Sequence, residues 1–228
     1  MLVKNLGAIP YYQEQHRKVF GTDPNPEGVA KAIAAYERTI LSGNSPYDRF
    51  NTGDKKALSA AAQRGLALFQ GKARCVTCHV SFNFTDENYH NLGVGMDKAT
   101  PDLGRFTVSK NDEHKGAFKT PTLRDVAKRP PYMHDGSLGT LEEVMVFYNK
   151  GGMPNQWLSK EIRPLNLTAE EQKDLVVFME ALTGQVAPEA STPPKLPKKA
   201  NQKSGFSGRR ENSGPGLDIQ TSAPTRDT

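Results

Sequence analysis

Five consecutive residues, Cys75-Val76-Thr77-Cys78-His79, constrain this 228-residue chain more than anything else in it. They read C-x-x-C-H and contain both of the chain's cysteines. Two thiols two residues apart lie on one turn of chain, and the histidine that follows can turn its ring toward a metal beside that turn. Three chemistries compete for such a pattern. A zinc site needs two more soft ligands at close spacing, and there is no third cysteine. A redox-active dithiol needs a strand-to-helix context of thioredoxin type. Here an apolar helical pattern precedes the motif, and a long Gly-, Asn- and Asp-rich stretch follows it. The third chemistry is addition of both thiols to the vinyl groups of a haem. The motif therefore predicts one covalent haem c, held by Cys75 and Cys78 with His79 as the proximal iron ligand.

Helix signals surround the motif. Tyr11 to Phe20 reads as helix and stops at Gly21. Asn25 before Pro26 is a capping residue followed by proline at the first helical position, and Val29, Ile33, Tyr36 and Ile40 then recur at helical spacing up to Gly43. Ser59 opens a helix with Ala62, Leu66 and Phe69 on one face and Gly71 at its end, directly before Cys75. Two capping boxes, Thr140 with Glu143 and Thr168 with Glu171, start the last two helices. The first runs to about Lys150, and the second carries Leu175, Phe178 and Leu182 before Gly184. No strand pattern of comparable quality is present, so the fold class is all-α. An apolar helix running into C-x-x-C-H, with a C-terminal helix able to cross it at Gly65, is the layout of a class I cytochrome c. The stretch from His79 to about residue 117 reads as loop wrapped around something other than its own core, and a prosthetic group would supply it.

Hydrophobic residues make up 36% of the chain and mean hydropathy is −0.63, too low for every part to carry a core. Residues 187–228, rich in Pro, Ser, Gly and Lys, read as a disordered basic tail. The tail supplies part of the +5 net charge but only one aromatic residue, Phe206, which argues against nucleic acid and for solvated linker. No stretch reaches the roughly 20 apolar residues of a membrane helix. The first residues lack the long apolar run of a secretory signal. Because haem c is attached outside the cytoplasm, that pairing predicts a fragment or a start placed too late.

The blocks GLALFQGKARCVTCH (65–79), FKTPTLRDV (118–126), PYMHDGSLGTLEE (131–143) and IAAYERTILSGNSPYDRF (33–50) strongly resemble the C-terminal haem domain of bacterial di-haem cytochrome c peroxidases and their MauG-like relatives. The resemblance covers about residues 1–185. It divides the chain into a helical segment of the peroxidase scaffold (1–50), a cytochrome c domain (51–186) and the tail (187–228). In the peroxidases a methionine fourteen residues after the histidine of the HDG block is the sixth iron ligand. Counted from His134, that position is Tyr148, and MauG-type enzymes place a tyrosine there. A thioether ligand raises the potential, whereas a phenolate favours ferric iron. Leu141, Val144, Met145 and Tyr148 share a helical face, so core packing is the competing reading of Tyr148. Met145 and Met153 are then rival ligands, and an open sixth position is the remaining one.

Arg124 and Arg105 are candidates for bidentate pairing with haem propionates. His134 reads as structural, His16, His90 and His114 as surface residues, and Trp157 as packing. In the family, peroxide is cleaved at a second C-x-x-C-H on an N-terminal domain, and this chain has no second motif. The resemblance thus implies an electron-relay half rather than a complete peroxidase. Its partners would be that N-terminal haem domain and a small redox donor of cytochrome c or cupredoxin type, in the periplasm. A homodimer is left open, and a calcium ion is expected only with the other domain, near Arg129 and Pro131. Ala73 stands where MauG-type enzymes carry a charge-relaying tryptophan, which argues against their quinone-forming chemistry. A stand-alone mono-haem electron carrier and a haem-based ligand-binding or sensing module are the alternatives.

Overall fold

The computed structural model describes residues 1–192; the greater part of the expected tail, residues 193–228, lies outside them. Short helices α1 (Leu2–Gly7) and α2 (Pro10–Phe20) come first, and α3 (Pro26–Glu37) follows. Gly21 closes α2 in the left-handed conformation at φ 71°, as its position in the sequence predicts. The Asn25 side chain accepts from the Gly28 backbone N–H and caps α3. That helix stops at Glu37, before the apolar spacing runs out; Ile33, Tyr36 and Ile40 have 51, 51 and 44% exposure, so little apolar burial supports a further turn.

His16, expected at the surface, is buried. Its Nδ1–H donates to the Thr22 carbonyl at 2.8 Å, and its ring lies against Phe20 and over Gly28. A Cβ at Gly28 would sit 2.1 Å from His16 Nε2, so the turn between α2 and α3 closes on a histidine that only glycine can face.

Beyond this turn come α4 (Pro46–Asn51), capped reciprocally by Ser45 and Asp48, and α5 (Ala60–Gln70), capped by Ser59. The two capping boxes foreseen downstream open α7 (Leu141–Asn149) and α8 (Ala169–Glu180), after the single-turn α6 (Phe106–Ser109). The fold is mostly helical. Helix α5 crosses α8 at Gly65, where a Cβ would fall 2.0 Å from the Asp174 carbonyl oxygen. Beside this contact Arg64 grips Asp174 with two hydrogen bonds of 2.7 and 2.6 Å. Inside the crossing, Phe69, Phe84, Phe178 and Tyr47 pack edge-on or tilted with centroids 5.1–6.5 Å apart. Leu175, Leu182 and Met179 fill the space around them.

Two minimal sheets, absent from the sequence reading, tie distant segments together. Strand β2 (Tyr89–Asn91) pairs antiparallel with β3 (Ala117–Lys119), with His90 opposite Phe118. Strand β1 (Ser42–Gly43) pairs with β4 (Gln185–Val186), and the short helix α9 (Pro188–Ser191) follows, its Ala190 carbonyl accepting from the Tyr36 hydroxyl at 2.9 Å. Ordered chain therefore continues past residue 187, where the tail was expected to begin. Both pairings rest on backbone bonds, which carry no side-chain periodicity.

The loop after His79 has a polar centre of its own. Asn91 is 1% exposed; its Nδ2 donates to the Lys115 carbonyl at 2.7 Å, and its Oδ1 accepts from the Gly93 N–H at 2.7 Å. Asn155 exchanges side-chain bonds with it at 3.2 Å. A buried amide with its donors and acceptor met fixes a loop as firmly as apolar packing does.

Candidate haem-attachment site

The Gly71 N–H caps α5 on the Ala67 carbonyl, and the backbone reverses through Arg74, in the left-handed region at φ 55°. A 3₁₀ turn over Cys75–Thr77 follows, closed by the His79 N–H on the Cys75 carbonyl at 2.8 Å. This turn gathers both thiols and the imidazole within one bend at the end of a helix. The cysteines are free and half-buried. Burial pushes the Cys75 thiol up to about 12, and burial with the charges of Asp86 and Glu161 pushes Cys78 up to about 11, so both are thiols at neutral pH.

His79 Nδ1 lies 2.8 Å from the Phe84 carbonyl. A carbonyl only accepts, so Nδ1 carries the proton and Nε2 keeps its lone pair. Burial lowers the His79 pKa against the smaller opposing effect of that bond, which favours the neutral ring a metal requires. A cleft of about 280 Å³ opens beside it, lined by Tyr47, Leu66, Phe69, Gln70, Val76, His79, Val80, Ser81 and Phe84. Apolar walls, two free thiols and a tautomer-fixed imidazole fit a haem c and do not fit a closed structural zinc site.

Tyr148, on α7, is half-buried and, like Cys75, Val76 and Met133, packs against the core. Burial, and then the nearness of Cys75 and Cys78, raise its phenol pKa, which puts its ring beside the motif. Its hydroxyl makes no hydrogen bond among the described residues. Of the rival methionines, Met145 is buried in the same core at 6% exposure. Met153 is held by its backbone, donating to Leu92 at 3.0 Å and packed on Gly93.

The two arginines differ. Arg124 reaches both Asp48 oxygens at 2.7 Å through Nη1 and the Phe82 carbonyl at 2.9 and 2.7 Å through Nε and Nη2. Burial would raise the Asp48 carboxyl, but the Arg124 and Ser45 hydrogen bonds overcome it and hold the group low. The Arg124 charge is met by Asp48, and the side chain fastens the loop after His79 to α4. Arg105 lies 4.6 Å over the Tyr89 ring and has no carboxylate partner among the described residues.

His134 stacks on Phe118 with centroids 3.6 Å apart, in keeping with a structural role. His114 is half-buried, with Nδ1 2.9 Å from the Ser109 hydroxyl. His90, expected at the surface, is half-buried and donates through Nε2 to Asp86 at 2.8 Å. The i, i+4 spacing of Asp86 and His90 was a signal for this pair, but on a loop and strand it has no helical meaning.

A mostly helical fold in which Val76 and His79 of C-x-x-C-H line an apolar cleft fits a haem-binding protein, and comparison with known proteins narrows the class. The family model described as di-haem cytochrome c peroxidase matches residues 1–56. The methylamine utilization protein MauG of Methylorubrum extorquens is 44% identical over 202 residues, covering 86% of this chain and 56% of that protein. A cytochrome-c peroxidase of Denitromonas iodatirespirans is 39% identical, covering 86% of this chain and 60% of the relative. Among solved structures, a MauG-like protein associated with microbial copper homeostasis matches with TM-score 0.63 and 32% identity over 71% of this chain and 58% of that one. The di-haem peroxidase BthA of Burkholderia thailandensis shares the fold at TM-score 0.62 and 21% identity, covering 86% of this chain and 62% of that one. The chain belongs to the di-haem cytochrome c peroxidase and MauG-like family. It spans little more than half the length of the curated relatives it matches.

Proposed function

We propose that this chain is the electron-carrying haem domain of a MauG-like, di-haem peroxidase-type oxidoreductase, built as a class I cytochrome c and acting outside the cytoplasm. The observation that carries the reading is the His79 ring, its Nδ1–H fixed on the Phe84 carbonyl, at the end of a turn that carries two unpaired thiols. A bound haem would supply one-electron chemistry, its iron alternating between ferric and ferrous. Cys75 and Cys78 would hold it through thioethers, and His79 would ligate the iron. Tyr148, unbonded and beside the motif, is the sixth-ligand candidate, and Arg105, without a carboxylate of its own, is the propionate partner. Tyr47, Leu66, Phe69 and Phe84 give the cleft its apolar lining. Reduction would come from a small redox protein, and the electrons would pass to a peroxide-reducing haem on an N-terminal domain of the kind the relatives' greater length allows.

The chain is to be matured with covalent haem, confirmed by its pyridine haemochrome band and mass gain. It is then mixed with a reduced small cytochrome or cupredoxin in a stopped-flow instrument, with and without peroxide. Rapid one-electron reduction without peroxide turnover is expected. Sustained peroxide consumption by the chain itself would remove the relay reading.

A further inference from the structure

Cys78, Asp86 and His90 form a cluster in which the sulfur, a carboxylate oxygen and a ring nitrogen all lie within 4.8 Å of one another. The His90 Nε2–H donates to Asp86 Oδ2 at 2.8 Å, and the Asn88 N–H donates to Oδ1 at 2.9 Å. The carboxylate side chain is 12% exposed and its histidine partner 24%. Strand β2 holds His90 opposite Phe118, so the pair is anchored by backbone pairing rather than by a free loop.

The charges around the motif differ in how they are met. Glu161, which reaches Cys78, is bridged to Arg74 at 2.8 Å, and Glu87 is bridged to Lys119 at 2.7 Å. Each of these carboxylates has a permanent cation. Asp86 is met by the His90 imidazole, the Asn88 N–H and the Thr120 side chain but by no permanent cation among the described residues, so its negative charge is the least compensated of the three, and its field reaches both Cys78 and His79. Ferric haem carries one more positive charge than ferrous haem. A fixed anion in a poorly screened position therefore favours the ferric form.

We propose that Asp86, partnered by His90, holds down the reduction potential of the haem attached through Cys78. Asp86 is a tuning residue, with no bond to the reacting atoms; His90 sets how much of its charge is felt. The inference rests on haem attachment at Cys75 and Cys78.

The test is a spectroelectrochemical titration at pH 8 of the haem-loaded full chain and of its Asp86→Asn and His90→Leu variants, each first shown to carry one covalent haem. Asp86→Asn removes the charge at nearly constant shape and is expected to shift the midpoint upward. His90→Leu removes the donor on Oδ2, the strongest of those that temper the carboxylate, and is expected to shift it downward. General loosening of the site would move both the same way, so shifts of like sign, or none, overturn the proposal. Asp86→Glu keeps the charge, and its midpoint is expected to stay below that of the Asn variant; a midpoint equal to it is equally fatal. A wild-type chain that gains no covalent haem would sink the attachment reading itself. That is a different result from a loaded chain whose potential ignores Asp86.

Discussion

At the scale of single residues, Gly65 and Tyr148 each turn on what one atom would do. Adding a methyl at Gly65 would bring carbon to 2.0 Å from the Asp174 carbonyl oxygen, a backbone atom in the middle of α8 that cannot swing aside. Alanine gains about 1 kcal/mol of helix propensity over glycine, but overpacking of this kind costs about 3 kcal/mol. The balance is a loss of about 2 kcal/mol and a fall in Tm of roughly 5 °C for Gly65→Ala, to be checked by thermal melts followed by circular dichroism. Tyr148 tests ligation instead. Tyr148→Phe in the haem-loaded ferric protein is expected to change spin state and axial-ligand signals in low-temperature EPR. An unchanged spectrum with a methionine-to-iron charge-transfer band would make the tyrosine core packing and pass the ligand role to Met145 or Met153.

Secondary-structure elements are where the sequence was most legible. The starts of α3, α5, α7 and α8 follow from Asn25, Ser59, Thr140 and Thr168, since a cap is chemistry between residues three apart and needs no knowledge of the fold. Glu171 adds a second duty. It closes the α8 capping box and also accepts both bonds of Lys72, in the turn just before the motif. Thr168→Ala is expected to cost about 1 kcal/mol, while Glu171→Ala, which also frees that turn, is expected to lower Tm further. Equal effects in the same melts would show that the Lys72 contact contributes nothing to stability. Less legible were features that depend on a distant partner. His16 and His90 look polar and exposed in their own neighbourhoods, yet His16 is buried over Gly28 and His90 half-buried against Asp86. The buried Asn91 and the salt bridge between Asp48 and Arg124 join segments whose proximity only the folded chain creates. The candidate site was read from one five-residue motif, but its orienting carbonyl at Phe84 and its charged neighbour at Asp86 come from a loop without pattern.

For the molecule as a whole, acid should be the sensitive direction. Burial opposes ionisation of Asp86, but its hydrogen bonds, led by that from His90, hold its pKa at about 2. Asp135 is held at about 2 by Ser137 first, against burial, with Lys98 assisting. Asp125 is also lowered: burial opposes, and Ser42 with the Gly184 N–H prevails. A carboxylate whose folded pKa lies below its unfolded value, near 4, binds its proton more readily in the unfolded chain. Its stabilisation is complete above about pH 4 and is lost as pH falls toward about 2. Circular dichroism melts between pH 6 and pH 2 are expected to show a Tm that holds to about pH 4 and then drops steeply. The Asp86→Asn and Asp135→Asn variants are expected to show a lower plateau and a shallower drop. A wild-type Tm that declines evenly from pH 6 would assign acid sensitivity to other groups.

The pairing of Ser42–Gly43 with Gln185–Val186 also bears on how the chain reaches this state. Its two partners are separated by most of the described sequence, and so small a ladder cannot repay the entropy of closing that loop unaided. It can form only after the α5–α8 crossing has already drawn its ends together, which places it among the last contacts made during folding. By the same reasoning it is among the first to open in the native state, a latch rather than a hinge pin. The amides of these four residues should then exchange with solvent deuterium well before those of the crossing helices, so that the molecule unlatches locally without surrendering the cleft around His79.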